Sequence, residues 1–356
     1  MGAVVTGMGV VSSIGADVAE FRRALLDGTC GCMPRAFTRM DGSVVTAPAY
    51  TARPAEAHGL IEPRKLRRMF RVVRMAAVAA RQALADAQVD VAGLDPSRIG
   101  VVFGTSLGAI EITQKFVDSW LDQGEQHASP LNFMNSVHGI LASQVALDIG
   151  ATGVNLTTAQ RDVCFEVALD TARAMLEQDR ADLVLVGGAD ELTDLLHEIA
   201  SGLHLVTLDL ARRGLDPGAR ETTTIPGDGA AVFVLEREDT PRKPLAKLLD
   251  TRVGRHDAGC RQDLPAVELV TTCANGTSRG ALGYGGRKGL SHRGNFGDFP
   301  AAGALQFAAN VLMLQHREGY APLTNGGQQS APPPPASILH DARSISGNHA
   351  GYVLAK

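Results

Sequence analysis

The 356-residue chain sets 34 Lys and Arg against 38 Asp and Glu for a formal net charge of −4, so no nucleic-acid partner is indicated. No apolar stretch is long enough to span a membrane, and the length exceeds that of one simple domain. Cys30, Cys32, Cys164, Cys260 and Cys273 form no zinc spacing, so no metal is expected, and their odd number suits a reducing cytoplasm.

Residues 3–12 lead directly into a strand and its turn, with no signal peptide ahead of them. Arg64, Arg67, Arg68 and Arg71, followed by Arg74, recur at helical spacing while Leu66, Met69, Phe70, Val73 and Ala77 take the other face. Such a stripe either docks an acidic partner or is a solvated face with internal salt bridges. Residues 101–103 form an apolar strand ahead of Gly104-Thr105-Ser106-Leu107-Gly108, which fits the G-x-S-x-G turn of acyl hydrolases with Ser106 as nucleophile. The acid and histidine such a triad needs downstream do not stand out among the ten histidines. The next helix carries Ala109, Ile112, Thr113, Phe116 and Trp120 on one side, a spacing that serves core or interface packing.

Residues 183–186, closed by Gly187-Gly188-Ala189, read as a buried strand because the run is short, branched and ended by a turn. Ahead of it, residues 161–178 carry Val163, Val167, Leu169, Ala172, Met175 and Leu176, so a helix is expected to pack on that strand with Gln160 at its mouth. Free N–H groups and the macrodipole there would lower a thiol pKa and hold an oxyanion. A carboxamide hydrogen-bonds but is a negligible nucleophile. Cys164, one turn further in, reads as a small buried hydrophobe. A second half begins at residue 243, with strands at 267–272 and 351–355. Its glycine-rich stretch 279–297 and proline-rich stretch 328–335 read as loops with no nucleotide fingerprint, and His292 is expected in an exposed part of the first.

Six segments in order resemble the β-ketoacyl synthases of the thiolase superfamily, and more specifically the chain-length-factor subunits of type II polyketide synthases. They are residues 3–12, Gly104-Thr105-Ser106-Leu107-Gly108, Val186-Gly187-Gly188-Ala189, Pro226-Gly227-Asp228-Gly229-Ala230-Ala231, Ala274-Asn275-Gly276-Thr277-Ser278 and Ala301-Ala302-Gly303-Ala304-Leu305. The resemblance implies an α/β, thiolase-like fold of two similar halves, residues 1–242 and a shortened 243–356, forming a layered αβαβα core. The family condenses acyl groups with one cysteine and two histidines. At those positions this chain reads Gln160, Asn275 and, depending on a one-residue gap, Gly297 or Asp298. No catalytic residue and no cofactor are therefore implied. Where ketosynthases carry a Gly-Phe-Gly-Gly gate, the chain reads Ser344-Ile345-Ser346-Gly347-Asn348, a less mobile loop.

In chain-length factors the helix after the 104–108 turn lies at the dimer seam and narrows the product tunnel. By resemblance, Ala109, Ile112, Thr113 and Phe116 line that tunnel, and Phe133, Met134, Asn135 and His138 border the seam. The implied partners are an active ketosynthase, in a heterodimer, and an acyl carrier protein whose phosphopantetheine-bound chain arrives over Arg64, Arg67, Arg68 and Arg71. The implied function is a catalytically silent subunit that sets polyketide or polyene length. Three alternatives stand beside it: a decarboxylase using Gln160 and Asn275 to turn a malonyl thioester into an acetyl primer, a lone acyl-binding protein, and a hydrolase using Ser106.

Overall fold

The computed structural model describes residues 2–54, 59–211, 223–255, 267–272, 289–324, 327–344 and 347–356. Its centre is a sheet of nine strands: β1 (Ala3–Val11), β2 (Ile99–Gly104), β3 (Asn155–Thr158), β4 (Leu183–Asp190), β5 (Gly229–Arg237), β6 (Ala246–Arg255), β7 (Leu269–Thr272), β8 (Ser337–Arg343) and β9 (Asn348–Ala355). The spatial order is β3-β2-β4-β5-β1-β6-β9-β8-β7. β1, β2 and β4 are buried at every position, the continuous apolar type of strand that has both faces covered.

β3, β2 and β4 run parallel, and β5 is antiparallel to β4 and β1. From the opposite edge, β7 and β8 run parallel, and β9 is antiparallel to β8 and β6. Among the described residues the second series repeats the plan of the first without its outermost strand, and an isolated parallel bridge from Leu290 to Thr271 lies at that edge. Ala3, Val4 and Val5 join the series by pairing with Leu248, Lys247 and Ala246.

The helices used below are α1 (Arg71–Asp86), α2 (Ile110–Gln123), α3 (Pro130–Asn135), α4 (Ile140–Ile149), α5 (Cys164–Glu177), α6 (Asp194–Gly202) and α7 (Gly303–His316). α1 and α4 bury their apolar sides on the outer face of the first series. On the inner face, α7 is buried from Gly303 to Leu314, which fits its apolar character all round, and it packs with α5. The Phe165, Phe233 and Phe307 rings meet at 4.6 to 5.7 Å, and Tyr352 of β9 joins Phe307 at 4.9 Å. These central helices therefore tie the two series into one core.

The arginine stripe is not one helix. A single turn, Pro63–Leu66, ends before Phe70, whose extended backbone starts α1 anew, and Arg74 reaches back to the Leu66 and Met69 carbonyls left at the break, at 3.1 and 3.4 Å. The helix expected at 161–178 begins at Cys164, because Arg161 takes a left-handed φ of 51° and residues Arg161–Val163 form a 3₁₀ turn. His292 is not exposed: it is fully buried beneath Tyr320 and beside Gln306.

Candidate functional site

The degenerate centre lies where edge strand β3 turns into α5. Thr158 closes the turn by donating its hydroxyl to the Cys164 carbonyl at 2.7 Å. Gly104 is required beside it, since a Cβ there would stand 2.4 Å from that same carbonyl oxygen. Gln160 is exposed, and its Oε1 accepts from Asn348 Nδ2 at 3.2 Å, so its amide is held by the first residue of β9.

Cys164 is the first residue of α5 rather than one turn inside it, yet it is fully buried. Burial, reinforced by the charges of Asp190, Glu166 and Asp162, pushes its thiol well above the usual range. It therefore supplies no thiolate in place of the missing one.

Behind Gln160 stands a group of acids and cations. Asp298 is buried against Arg293 in an ion pair, and its backbone is fixed to Ile225 and Gly227. Asp162 faces this pair and accepts from Ser344 Oγ at 3.4 Å; burial first, and the Asp298 charge second, raise its carboxyl. Asp341 is shared by Arg343 Nε at 2.9 Å and by His349 Nε2. Arg293, Asp162 and His349 carry no periodic or motif signal that sequence reasoning uses. Asp162 lies two residues past Gln160 and Arg293 in the glycine-rich stretch 279–297, but neither segment marks its residue as part of the site.

The histidines near this centre are bound to structure. His340 places Nε2 3.3 Å from Glu166 and Nδ1 2.9 Å from Thr271 Oγ1. Thr271 accepts from Asn310, Asn310 from Gln306, and Gln306 meets His292 Nδ1 at 3.0 Å. Burial lowers the His292 pKa to about 4, so the ring stays neutral. Asn275 and Ile345 lie outside the described residues, as do Cys260 and Cys273.

Among the described residues Ser106 has no triad around it. Its N–H donates to the buried Asp190, which also accepts from Thr105 Oγ1, Leu107 N and Ala301 N at 2.7 to 3.0 Å, and His138 meets the Ser106 carbonyl instead of its hydroxyl. Burial outweighs those bonds and lifts Asp190 to about 6. Asp190 is thus a fastener between the 105–107 turn and the approach to α7.

The α2 face divides in two. Ala109 and Ile112 are sealed in the core of the lone chain, and Thr113 donates to the Ala109 and Ser136 carbonyls. From Phe116 onward the side chains surface: Phe116 packs on Phe133 with ring centroids 5.3 Å apart. Beyond it Trp120, Leu121 (74% exposed), Leu131, Phe133 (57%), Met134 (68%) and Val137 stand open. Asn135 turns its amide back to the Leu131 carbonyl, and His138 is exposed beside them.

Arg64, Arg67 and Arg68 are exposed and make no side-chain bond or ion pair among the described residues. Arg71 is engaged within the fold. It donates to buried Asp228 at 2.8 and 3.1 Å and to the Ala52 carbonyl at 3.2 Å, and so serves the fold. Among the described residues no cluster could hold a metal, and no helix is long and apolar enough to cross a membrane.

A 3-oxoacyl-[acyl-carrier-protein] synthase 2 of Staphylococcus aureus (strain N315) is 27% identical over 264 residues, 72% of this chain and 62% of that protein. The chain thus spans less than two thirds of that relative's length. The counterpart from Coxiella burnetii is 27% identical over 290 residues, 78% of this chain and 69% of that protein. A β-ketoacyl synthase structure from Burkholderia phymatum superimposes with a TM-score of 0.82 at 19% identity, covering 99% of both chains. A ketosynthase in complex with its chain length factor from Xenorhabdus doucetiae gives 0.80 at 16% identity, covering 99% of this chain and 98% of that one. These neighbours share the mixed α/β, thiolase-like ketosynthase fold. The β-ketoacyl synthase N-terminal domain profile matches residues 3–240, and with the fold and the turn around Gln160 this establishes that the chain belongs to the β-ketoacyl synthase family.

Proposed function

We propose that the chain is a catalytically silent ketosynthase homologue, with residues 1–242 and 243–356 as its two halves. It pairs with an active ketosynthase and sets the length of the polyketide or polyene made by the pair. The observation that carries this reading is the state of the family's cysteine position. Gln160 stands there with its amide held by Asn348, and Cys164, the nearest thiol among the described residues, is sealed and un-ionised. At the second histidine position the chain reads Gly297 or Asp298, and Asp298 is tied up in an ion pair with Arg293, which supports the reading that no histidine acts there.

Pairing is supported by the surface. A contiguous apolar face on α2 and α3 marks an interaction site, and beside it β3 offers an unpaired strand edge with Leu156 exposed. A solved relative is a ketosynthase with its chain length factor, and another is a type II polyketide synthase carrier protein in complex with its ketosynthase. Arg64, Arg67 and Arg68 provide a basic knob for such an acidic carrier.

Product mass tests the proposal. Phe116 is the α2 side chain that is half-buried yet continuous with the open face, so in a co-expressed complex Phe116→Ala should remove a steric block and lengthen the product. An unchanged length distribution from well-paired Phe116→Ala and Phe133→Ala complexes would reject the role in length control. Steady ketoacyl formation by the isolated chain would reject catalytic silence.

A further inference from the structure

Away from Gln160, a cleft of about 450 Å³ opens between the hairpin Met33–Thr38/Val44–Ala49, the first turn of α2 and the start of α6. Its size is that of a small-molecule site, and its wall is charged. Most of those charges are already spent. Arg35 donates to the Leu192 carbonyl at 3.1 Å and to Asp194 at 3.4 Å, and lies 4.7 Å over the Phe37 ring. Glu198 accepts from Met40 N, Glu111 meets Lys115, and Arg71 is held by Asp228.

Two groups on the wall are not spent. Glu191 is only 1% exposed; its Oε1 accepts from Glu111 N at 3.0 Å and the Val72 amide also favours its ionised form, while Oε2, sealed just behind the cleft wall, has no partner within hydrogen-bond geometry. Native proteins pair nearly all such atoms, so this oxygen is a vacancy for a donor that enters past the wall. The Arg39 guanidinium makes no bond or ion pair among the described residues.

We propose that this cleft binds a small zwitterion of the amino-acid class, its ammonium donating to Glu191 Oε2 and its carboxylate received by Arg39. An ammonium carries donors and no acceptor, and the guanidinium fork matches a carboxylate in two parallel bonds. A bare anion would leave the Glu191 oxygen without a donor, and a bare cation would leave Arg39 without an acceptor. A ligand of both charges satisfies each wall. Burial lifts the Glu191 carboxyl to about 7, against the Glu111 and Val72 amides and Arg71, which favour ionisation. An ammonium there would hold the ionised form.

The test is calorimetric titration of the full chain with each proteinogenic amino acid, at about pH 6 and about pH 8 in buffers of different ionisation heat. At least one should bind saturably and release close to one proton per site at the lower pH, where Glu191 is mostly protonated, and almost none at the higher. Kd should rise at least about tenfold, or about 1.4 kcal/mol, in Glu191→Gln and in Arg39→Gln. The bound amino acid's analogues lacking the amine or the carboxylate should weaken as much. Arg39 lies near the surface and holds nothing in place, so its variant keeps the test valid if Glu191→Gln fails to fold. No saturable binding by any amino acid, equal affinity in Arg39→Gln, or equal affinity for the amine-free analogue would overturn the proposal.

Discussion

Replacing Phe133 separates an interface role from a packing role. The ring is 57% exposed in the lone chain and touches Phe116 at 5.3 Å, so its burial is unfinished. Fully burying a Phe side chain is worth about 1.5–3 kcal/mol, and a little over half of that, about 1–1.5 kcal/mol, remains available to a partner. Phe133→Ala should therefore weaken pairing with the co-expressed ketosynthase by about 5- to 13-fold in Kd. Phe133→Asp should abolish it, because a carboxylate in a desolvated interface finds no cation to repay its dehydration. The assay is affinity between separately purified subunits, with thermal unfolding of each lone variant as control. The lone Phe133→Ala chain should lose little beyond the aromatic contact with Phe116, about 0.5–1.5 kcal/mol. If both variants pair as wild type does, this face is not the seam.

Gln160→Ala removes only the bond to Asn348 and should leave product length unchanged with output moderately altered. A folded, paired variant that makes product only when given acetyl primer would instead favour the decarboxylase. Changing Arg64, Arg67 and Arg68 together to Glu should weaken carrier-protein binding and flatten its salt dependence without lowering stability, as read by titration at several ionic strengths. Arg71→Ala should instead cost about 3–5 kcal/mol in chemical denaturation, because Asp228 is left buried without its partner. Asp190 and Glu191 have folded pKa values of about 6 and about 7, above their unfolded ones. The native state therefore binds the extra protons, and the contribution of these two groups to stability rises as pH falls from about 7 toward 5. Urea unfolding of Asp190→Asn across that range should show a shallower rise; an unchanged slope would mean that Asp190 ionises normally.

What the sequence disclosed and what it hid have physical causes. Strand β4 is legible from its branched apolar residues 183–186, but it runs on through Gly187-Gly188-Ala189 to Asp190 where a turn is expected, and the position of Gln160 at a helix mouth is legible from the apolar spacing of the helix that follows. The break at Phe70 is hidden, since arginines and apolar residues keep helical spacing on both sides of it. Helical spacing also cannot tell that Ala109 and Ile112 face the core while Phe133 faces water, because both belong to apolar stripes. The burial of His292 depends on Gln306 and Tyr320, and the surroundings of Asp162 come from residues 293, 298 and 344. Such contacts are set by topology, and glycine-rich composition around residue 292 points the wrong way.

The region behind Gln160 is tied to the rest of the fold through α7. A helix buried along nearly its whole length must satisfy every polar side chain it carries, and Gln306 and Asn310 do so only by linking His292, Thr271 and Tyr352 into one chain of hydrogen bonds. His340 extends that chain to Glu166 at the start of α5, so the network spans the two strand series beneath the degenerate centre. In a condensing enzyme the imidazoles at such a centre must remain free to exchange protons with substrate. Here the described imidazoles around it, His292, His340 and His349, are engaged with protein groups, and Arg293 with Asp298 fills the space behind Gln160 with a fixed ion pair. Among the described residues this centre is held by the protein's own hydrogen bonds and ion pairs. On the proposed function the chain would act on a growing product through shape, and the apolar face it leaves open is that of Phe116, Phe133 and Met134.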